Sequence, residues 1–124
     1  MRAVGEVIWV EHEGLIDTVT GVSGSGPAYF FKLMELMIAE GIANGLTAES
    51  ARTLVIETAR GAAKLIQQSP LEPAILRQQV TSPGGTTEAG IRYMEKAGID
   101  DTIRGGVKAA VKRSIELSQQ FGGN

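Results

Sequence analysis

Between Pro27 and Asn44 the chain carries only three charged side chains, Lys32, Glu35 and Glu40. The rest of that stretch is dominated by Tyr29, Phe30, Phe31, Leu33, Met34, Leu36, Met37, Ile38 and Ile42. Pro27 suits the first turn of a helix, where its lacking N–H costs nothing, and Gly45 suits a helix end. A helix that is apolar almost all round must be covered almost all round. With 124 residues the chain can build one domain, and a domain of that size can barely surround such a helix. Part of it is therefore expected to meet a second chain.

The remaining patterns are also helical. Leu15–Val22 predicts a short helix with Ile16, Val19 and Thr20 on one face, cut off sharply by Gly24-Ser25-Gly26-Pro27. Thr47 is the expected N-cap of a helix running to about Gln68, with Leu54, Val55, Thr58, Ala59, Ala62, Leu65 and Ile66 as its inner stripe. Ser69-Pro70-Leu71-Glu72 reads as a capping box, with Pro70 at the first position of a shorter helix that ends near Val80. A helix from Thr87 to about Lys96 follows. Asp100 or Asp101 then caps a last helix to Phe121, whose inner face is Ile103, Val107, Ala110, Val111, Ser114, Leu117 and Phe121. One β-rich segment, Val4–Val10, predicts a strand. The fold class is all-α: a bundle of five or six helices with one short N-terminal strand, interlocked with a second subunit.

Composition removes several function classes. Twelve basic and fourteen acidic residues give a formal charge of −2 without a cluster of either sign, which argues against nucleic acid. There is no cysteine, and His12 is the single histidine. Thiolate or histidine metal sites and a Ser-His-Asp triad are therefore not expected. No apolar run reaches the roughly 20 residues that cross a bilayer, so no membrane partner is expected. The opening Met1–Glu6 does not read as a signal peptide, and the cytoplasm is the expected compartment.

The chemistry-bearing stretch is Val80-Thr81-Ser82-Pro83-Gly84-Gly85-Thr86-Thr87-Glu88-Ala89-Gly90. Pro83 and the glycine pair interrupt two helical patterns, and a new helix opens behind them. Unpaired N–H groups at a helix start, joined by several hydroxyls, suit a carboxylate or phosphate. Glycine lets backbone approach a ligand closely. The plainer reading is a helix–helix turn with a threonine N-cap. Glu88 and Glu72 read as helix-start charges rather than catalytic acids.

Two segments together resemble a known family. They are Thr20-Gly21-Val22-Ser23-Gly24-Ser25-Gly26-Pro27-Ala28-Tyr29-Phe30-Phe31 and Leu76-Arg77-Gln78-Gln79-Val80-Thr81-Ser82-Pro83-Gly84-Gly85-Thr86-Thr87-Glu88-Ala89-Gly90-Ile91. In order and spacing they look like the C-terminal half of Δ1-pyrroline-5-carboxylate reductase, and the likeness extends from about Val4 to the end. The resemblance implies a domain over residues 13–124 for dimerisation and substrate binding, with residues 1–12 a residual strand and turn of a dinucleotide-binding domain. It implies hydride transfer from NADPH or NADH to the C=N carbon of a cyclic imino acid, giving proline. Family members bind the dinucleotide in an N-terminal domain with a glycine-rich fingerprint. Gly24-Ser25-Gly26 does not supply that fingerprint, since Tyr29 stands where its third glycine would be. No cofactor is thus expected to bind this chain tightly, and the chain alone is expected to be inactive.

The resemblance also assigns roles. Ser82, Gly85, Thr86 and Thr87 would hold the substrate carboxylate through the Ser82 hydroxyl and the N–H groups of the other three. Thr87 would be the catalytic hydroxyl near the imine nitrogen, relaying a proton from water because threonine is a very poor acid. Val80 would pack near the nicotinamide, and no metal is implied. Ser25-Gly26-Pro27 would seat the central helix. The implied partners are a second copy of the chain, in a dimer or a larger assembly, and an imino acid or proline. Two alternatives stand beside this reading. One is a non-enzymatic helical dimerisation module with a relic substrate turn. The other is the helical domain of a hydroxy-acid or sugar-acid dehydrogenase, which usually supplies a charged catalytic group that these two motifs lack.

Overall fold

The computed structural model describes residues 14–121, and among them the chain is all-α, with no strand. The strand expected over Val4–Val10, His12 and the proposed boundary at residue 12 lie outside the described residues. In order come α1 (Gly14–Val19), a π-helical turn (Thr20–Gly24), α2 (Gly26–Ala43), α3 (Ala48–Gln68), α4 (Pro73–Gln79), α5 (Thr86–Ala97) and α6 (Ile99–Phe121). Two compact units divide the chain, and the division falls within α2. One comprises residues up to Phe31 together with those from Gly98 onward, and the other runs from Lys32 to Ala97.

In the first unit α6 crosses the π-turn at short range. A Cβ on the buried Gly21 would lie 2.5 Å from Val111 Cγ2 and 3.2 Å from the Val107 carbonyl oxygen, so only glycine fits that crossing. Polar groups fasten it: Ser114 Oγ donates to Asp17 Oδ1 at 2.6 Å, and Tyr29 OH donates to the Gly21 carbonyl at 2.9 Å. The sharp break expected at Gly24–Pro27 is instead a widened helical turn. Ser25 N–H donates to Thr20 O at 2.8 Å, five residues back, and α2 then starts at once with Pro27 in its first turn. A π-turn absorbs one extra residue without freeing the backbone, which a run of two glycines and a serine permits.

In the second unit α2 ends as its sequence dictates. Gly45 has φ +110°, its N–H donates to Ile42 O, and Leu46 N–H donates to Gly41 O, both at 3.0 Å, which is a Schellman ending. Thr47 caps α3, accepting from Ser50 N–H at 3.0 Å. Along α3 the buried line is Ala51 and Val55, with Ala59 partly covered. Leu54, expected inside, stands open, as do Leu65 and Ile66. A Cβ at Gly41 on α2 would lie 3.5 Å from Ala51 Cβ, so this glycine lets the two helices approach.

Two expected caps move. Ser69 does not begin a capping box: it ends α3, and its Oγ accepts from Leu71 N–H at 3.1 Å. The first-turn proline of α4 is Pro73 rather than Pro70. Pro70 favours extended backbone in Ser69 before it, which suits a helix end. Nor does Asp100 or Asp101 cap α6. Gly98 (φ +102°) takes that place by accepting from Thr102 N–H at 3.0 Å, leaving both aspartates in the first turn where the helix dipole favours them.

Little of the single chain is dry. Among the described residues the buried apolar side chains are those of Ala51 and Val55. On α2, Phe30 and Phe31 are 65% and 67% exposed, and Leu33, Leu36, Met37 and Ile42 are exposed as well. In the first unit an open apolar groove runs between α1 and α6, walled by Thr18, Val107, Val111 and Ile115. Among the described residues no helix is long and apolar enough to cross a membrane.

Candidate functional site

The stretch between α4 and α5 is built almost entirely by backbone. Val80 closes α4, its N–H donating to Arg77 O at 3.2 Å, and its side chain is 60% exposed. Thr81 N–H donates to Gln78 O at 3.0 Å, and the Thr81 hydroxyl turns back to the Arg77 carbonyl. Ser82 to Gly85 then form a β-turn, closed by Gly85 N–H donating to Ser82 O at 3.0 Å. Pro83 and Gly84 are its central residues, and Gly84 has φ +74°, the arrangement of a type II turn. Any residue with a Cβ would be strained at Gly84 by about 1–2 kcal/mol. At Gly85 a Cβ would sit 3.2 Å from Ser82 O and 3.4 Å from Ser82 Cβ, tighter than ordinary contact.

α5 begins at Thr86, one residue earlier than its pattern suggests. Its first backbone bond runs from Ala89 N–H to Gly85 O at 3.3 Å, which puts Gly85 at the cap. This corrects the placement of Thr87 as N-cap: Thr87 is the second helical residue, and its hydroxyl serves no cap. It also corrects the donor set, because the Gly85 N–H is spent on the β-turn. The N–H groups of Thr86, Thr87 and Glu88 have no acceptor among the described residues, as helix geometry requires of a first turn. The hydroxyls of Ser82, Thr86 and Thr87 likewise make no hydrogen bond there and are exposed, whereas that of Thr81 is taken.

One charged group shapes this end of α5. Glu88 folds back so that Oε1 accepts from Gly84 N–H at 3.0 Å, while Oε2 lies 3.9 Å from Arg92 Nη2. Glu88 is therefore the helix-start charge it was expected to be. Its bond to the turn was missed, although Gly84 and Glu88 differ from a capping box by only one position. Among the described residues no group of three acidic or histidine side chains could hold a metal ion.

The other glycine-rich segment has a different character. Ser25 N–H donates to Thr20 O, and Ala28 N–H donates to Ser25 O at 3.1 Å. The Ser23 hydroxyl donates to Val19 O, and Tyr29 to Gly21 O.

A family model described as pyrroline-5-carboxylate reductase dimerisation matches residues 13–117. This chain belongs to that family. Pyrroline-5-carboxylate reductase of Pseudomonas aeruginosa is 48% identical over 122 residues, which are 98% of this chain and 45% of the relative. The Arabidopsis thaliana enzyme of the same name is 45% identical over 117 residues, 94% of this chain and 42% of the relative. The chain thus spans under half the length of the curated relatives it matches. Among solved structures, a pyrroline-5-carboxylate reductase from Coxiella burnetii superposes with a TM-score of 0.89 at 43% identity, over 95% of this chain and 44% of the other. The pyrroline carboxylate reductase of Plasmodium falciparum, solved with NADP bound, gives 0.83 at 33% identity, over 87% of this chain and 41% of the other. The description of the matched family model names dimerisation, and Phe30, Phe31, Leu54 and Leu65 stand exposed in the single chain.

Proposed function

We propose that this chain is the substrate-binding and dimerising part of a pyrroline-5-carboxylate reductase, which reduces 1-pyrroline-5-carboxylate to L-proline with NADPH or NADH. The observation that carries the reading is the start of α5, where three N–H groups and three hydroxyls stand open around a rigid turn in a chain of this family. A substrate carboxylate would accept from the N–H groups of Thr86 and Thr87 and from the Ser82 hydroxyl. Gly85 supports it as the close-packed corner of the turn rather than as a donor. The Thr87 hydroxyl would face the imine nitrogen, where negative charge must be avoided as the C=N bond is reduced. Val80, exposed at the lip, would pack against the nicotinamide. The nicotinamide supplies the hydride when bound. The reading assigns this chain no grip on the rest of the cofactor.

The assembly proposed is a homodimer in which the exposed faces of α2, α3 and α6 interlock with their counterparts. Its compartment is proposed to be the cytoplasm, which the absence of cysteine permits. Nucleic acid and membrane have no part in the reading, given the dispersed charge.

Calorimetric titration of the chain with L-proline tests it. Saturable binding that weakens at least tenfold in Thr87→Ala and vanishes in Gly85→Val is the expected result. Absence of binding in the unaltered, folded chain would overturn the substrate role and leave a dimerisation module with a relic turn.

A further inference from the structure

Glu88 holds its carboxylate against the same turn whose neighbouring N–H groups the reading above gives to a carboxylate. Resting on that reading, we infer that Glu88 both positions the turn and selects among ligands, favouring a carboxylate that carries its own positive nitrogen over a plain anion. Three observations lead there. Glu88 Oε1 is held 3.0 Å from Gly84 N, so the carboxylate is fixed at the N-terminal end of α5. The side chain is largely covered, at 29% exposure, so water screens it less than a free surface charge. Its partner Arg92 is 3.9 Å away and 76% exposed, a pairing too loose and too wet to neutralise it.

The open N–H groups and the positive end of the α5 dipole attract any anion. The fixed carboxylate opposes that attraction, and opposes it twice as strongly for a doubly charged anion. A zwitterion escapes most of the penalty, because its cationic nitrogen offsets the repulsion between its carboxylate and Glu88. The pairing selects cyclic imino acids in protonated form, and the ammonium of the product, against sulfate, phosphate or simple carboxylates. Specificity then comes from a repulsive element as well as from the attractive ones.

The substitution Glu88→Gln separates charge from position, since the amide oxygen still accepts the Gly84 N–H. The test follows backbone amide resonances of Thr86, Thr87 and Gly84 during titration of the full chain with L-proline, acetate and sulfate. In Glu88→Gln we expect proline binding to weaken and acetate binding to tighten, each about two- to fivefold, with a larger gain for sulfate. In Glu88→Ala the Gly84 amide should shift even without ligand, reporting release of the turn. Saturable shifts with an unchanged proline-to-acetate ratio in Glu88→Gln would overturn the selectivity while leaving the site in place. No shift with any of the three ligands in the unaltered chain would overturn the site itself, and this inference with it.

Discussion

Two glycine-rich segments of this chain have nearly the same composition and opposite uses. Gly21–Pro27 spends what it has on the fold: its amides close a π-turn, Tyr29 takes the Gly21 carbonyl, and Gly21 itself lies under Val111. Ser82–Glu88 spends the Gly84 and Gly85 amides on holding the turn and leaves the amides of Thr86, Thr87 and Glu88 and the hydroxyls of Ser82, Thr86 and Thr87 without a partner among the described residues. Glycine and serine at a helix boundary therefore do not by themselves mark a ligand site.

The largest effect should come from breaking the closed segment. Gly21→Leu places a side chain where even a Cβ lies 2.5 Å from Val111, and should destabilise the chain by about 3 kcal/mol or prevent folding. A fall in the urea midpoint checks it. Gly84→Ala forces a Cβ onto a φ of +74° and should cost about 1–2 kcal/mol. Proline affinity should fall with it, which the same titration reads. Ser114→Ala leaves Asp17 without its donor and should cost about 1 kcal/mol in urea melts, with no change in proline binding. Thr87→Ala is the converse. Its hydroxyl holds nothing in the fold, so the midpoint should move by less than about 0.5 kcal/mol while binding falls at least tenfold. Gly61→Ala, in open space inside α3, should stabilise by about 0.5 to 1 kcal/mol and sharpen the contrast with Gly21.

How far the sequence reveals this molecule depends on whether the deciding interaction is local. The Thr47 cap, the Gly45 ending and the run of α3 to Gln68 are local, and all three were legible. Each start that moved did so because another group took the work. Pro70 lies in the extended link before α4, Gly98 displaces the aspartates, and Gly85 displaces Thr87. The Gly21–Val111 crossing joins residues ninety apart in sequence, and pattern reading has no signal for it. At the candidate site the hydroxyls and the turn were legible from Ser82-Pro83-Gly84-Gly85. The loss of the Gly85 donor was not, because it depends on which hydrogen bond closes the turn.

The inner stripe of α3 shows a further limit. Periodicity put Leu54, Val55, Leu65 and Ile66 inside; in the single chain Val55 is buried, with Ala51 beside it, while Leu54, Leu65 and Ile66 are exposed. Periodicity reports that a face must be covered without saying by which chain. Phe30 and Phe31 are open on α2 as well, and covering this apolar surface in the proposed dimer is the source of stability this account relies on most.

Sedimentation equilibrium of the chain over a wide concentration range tests that claim most directly. The account expects twice the chain mass, or a multiple of it, persisting to low micromolar concentration and accompanied by cooperative unfolding. A stable, folded monomer across the same range would contradict it, since α2 and α3 would then have to be covered from within one chain.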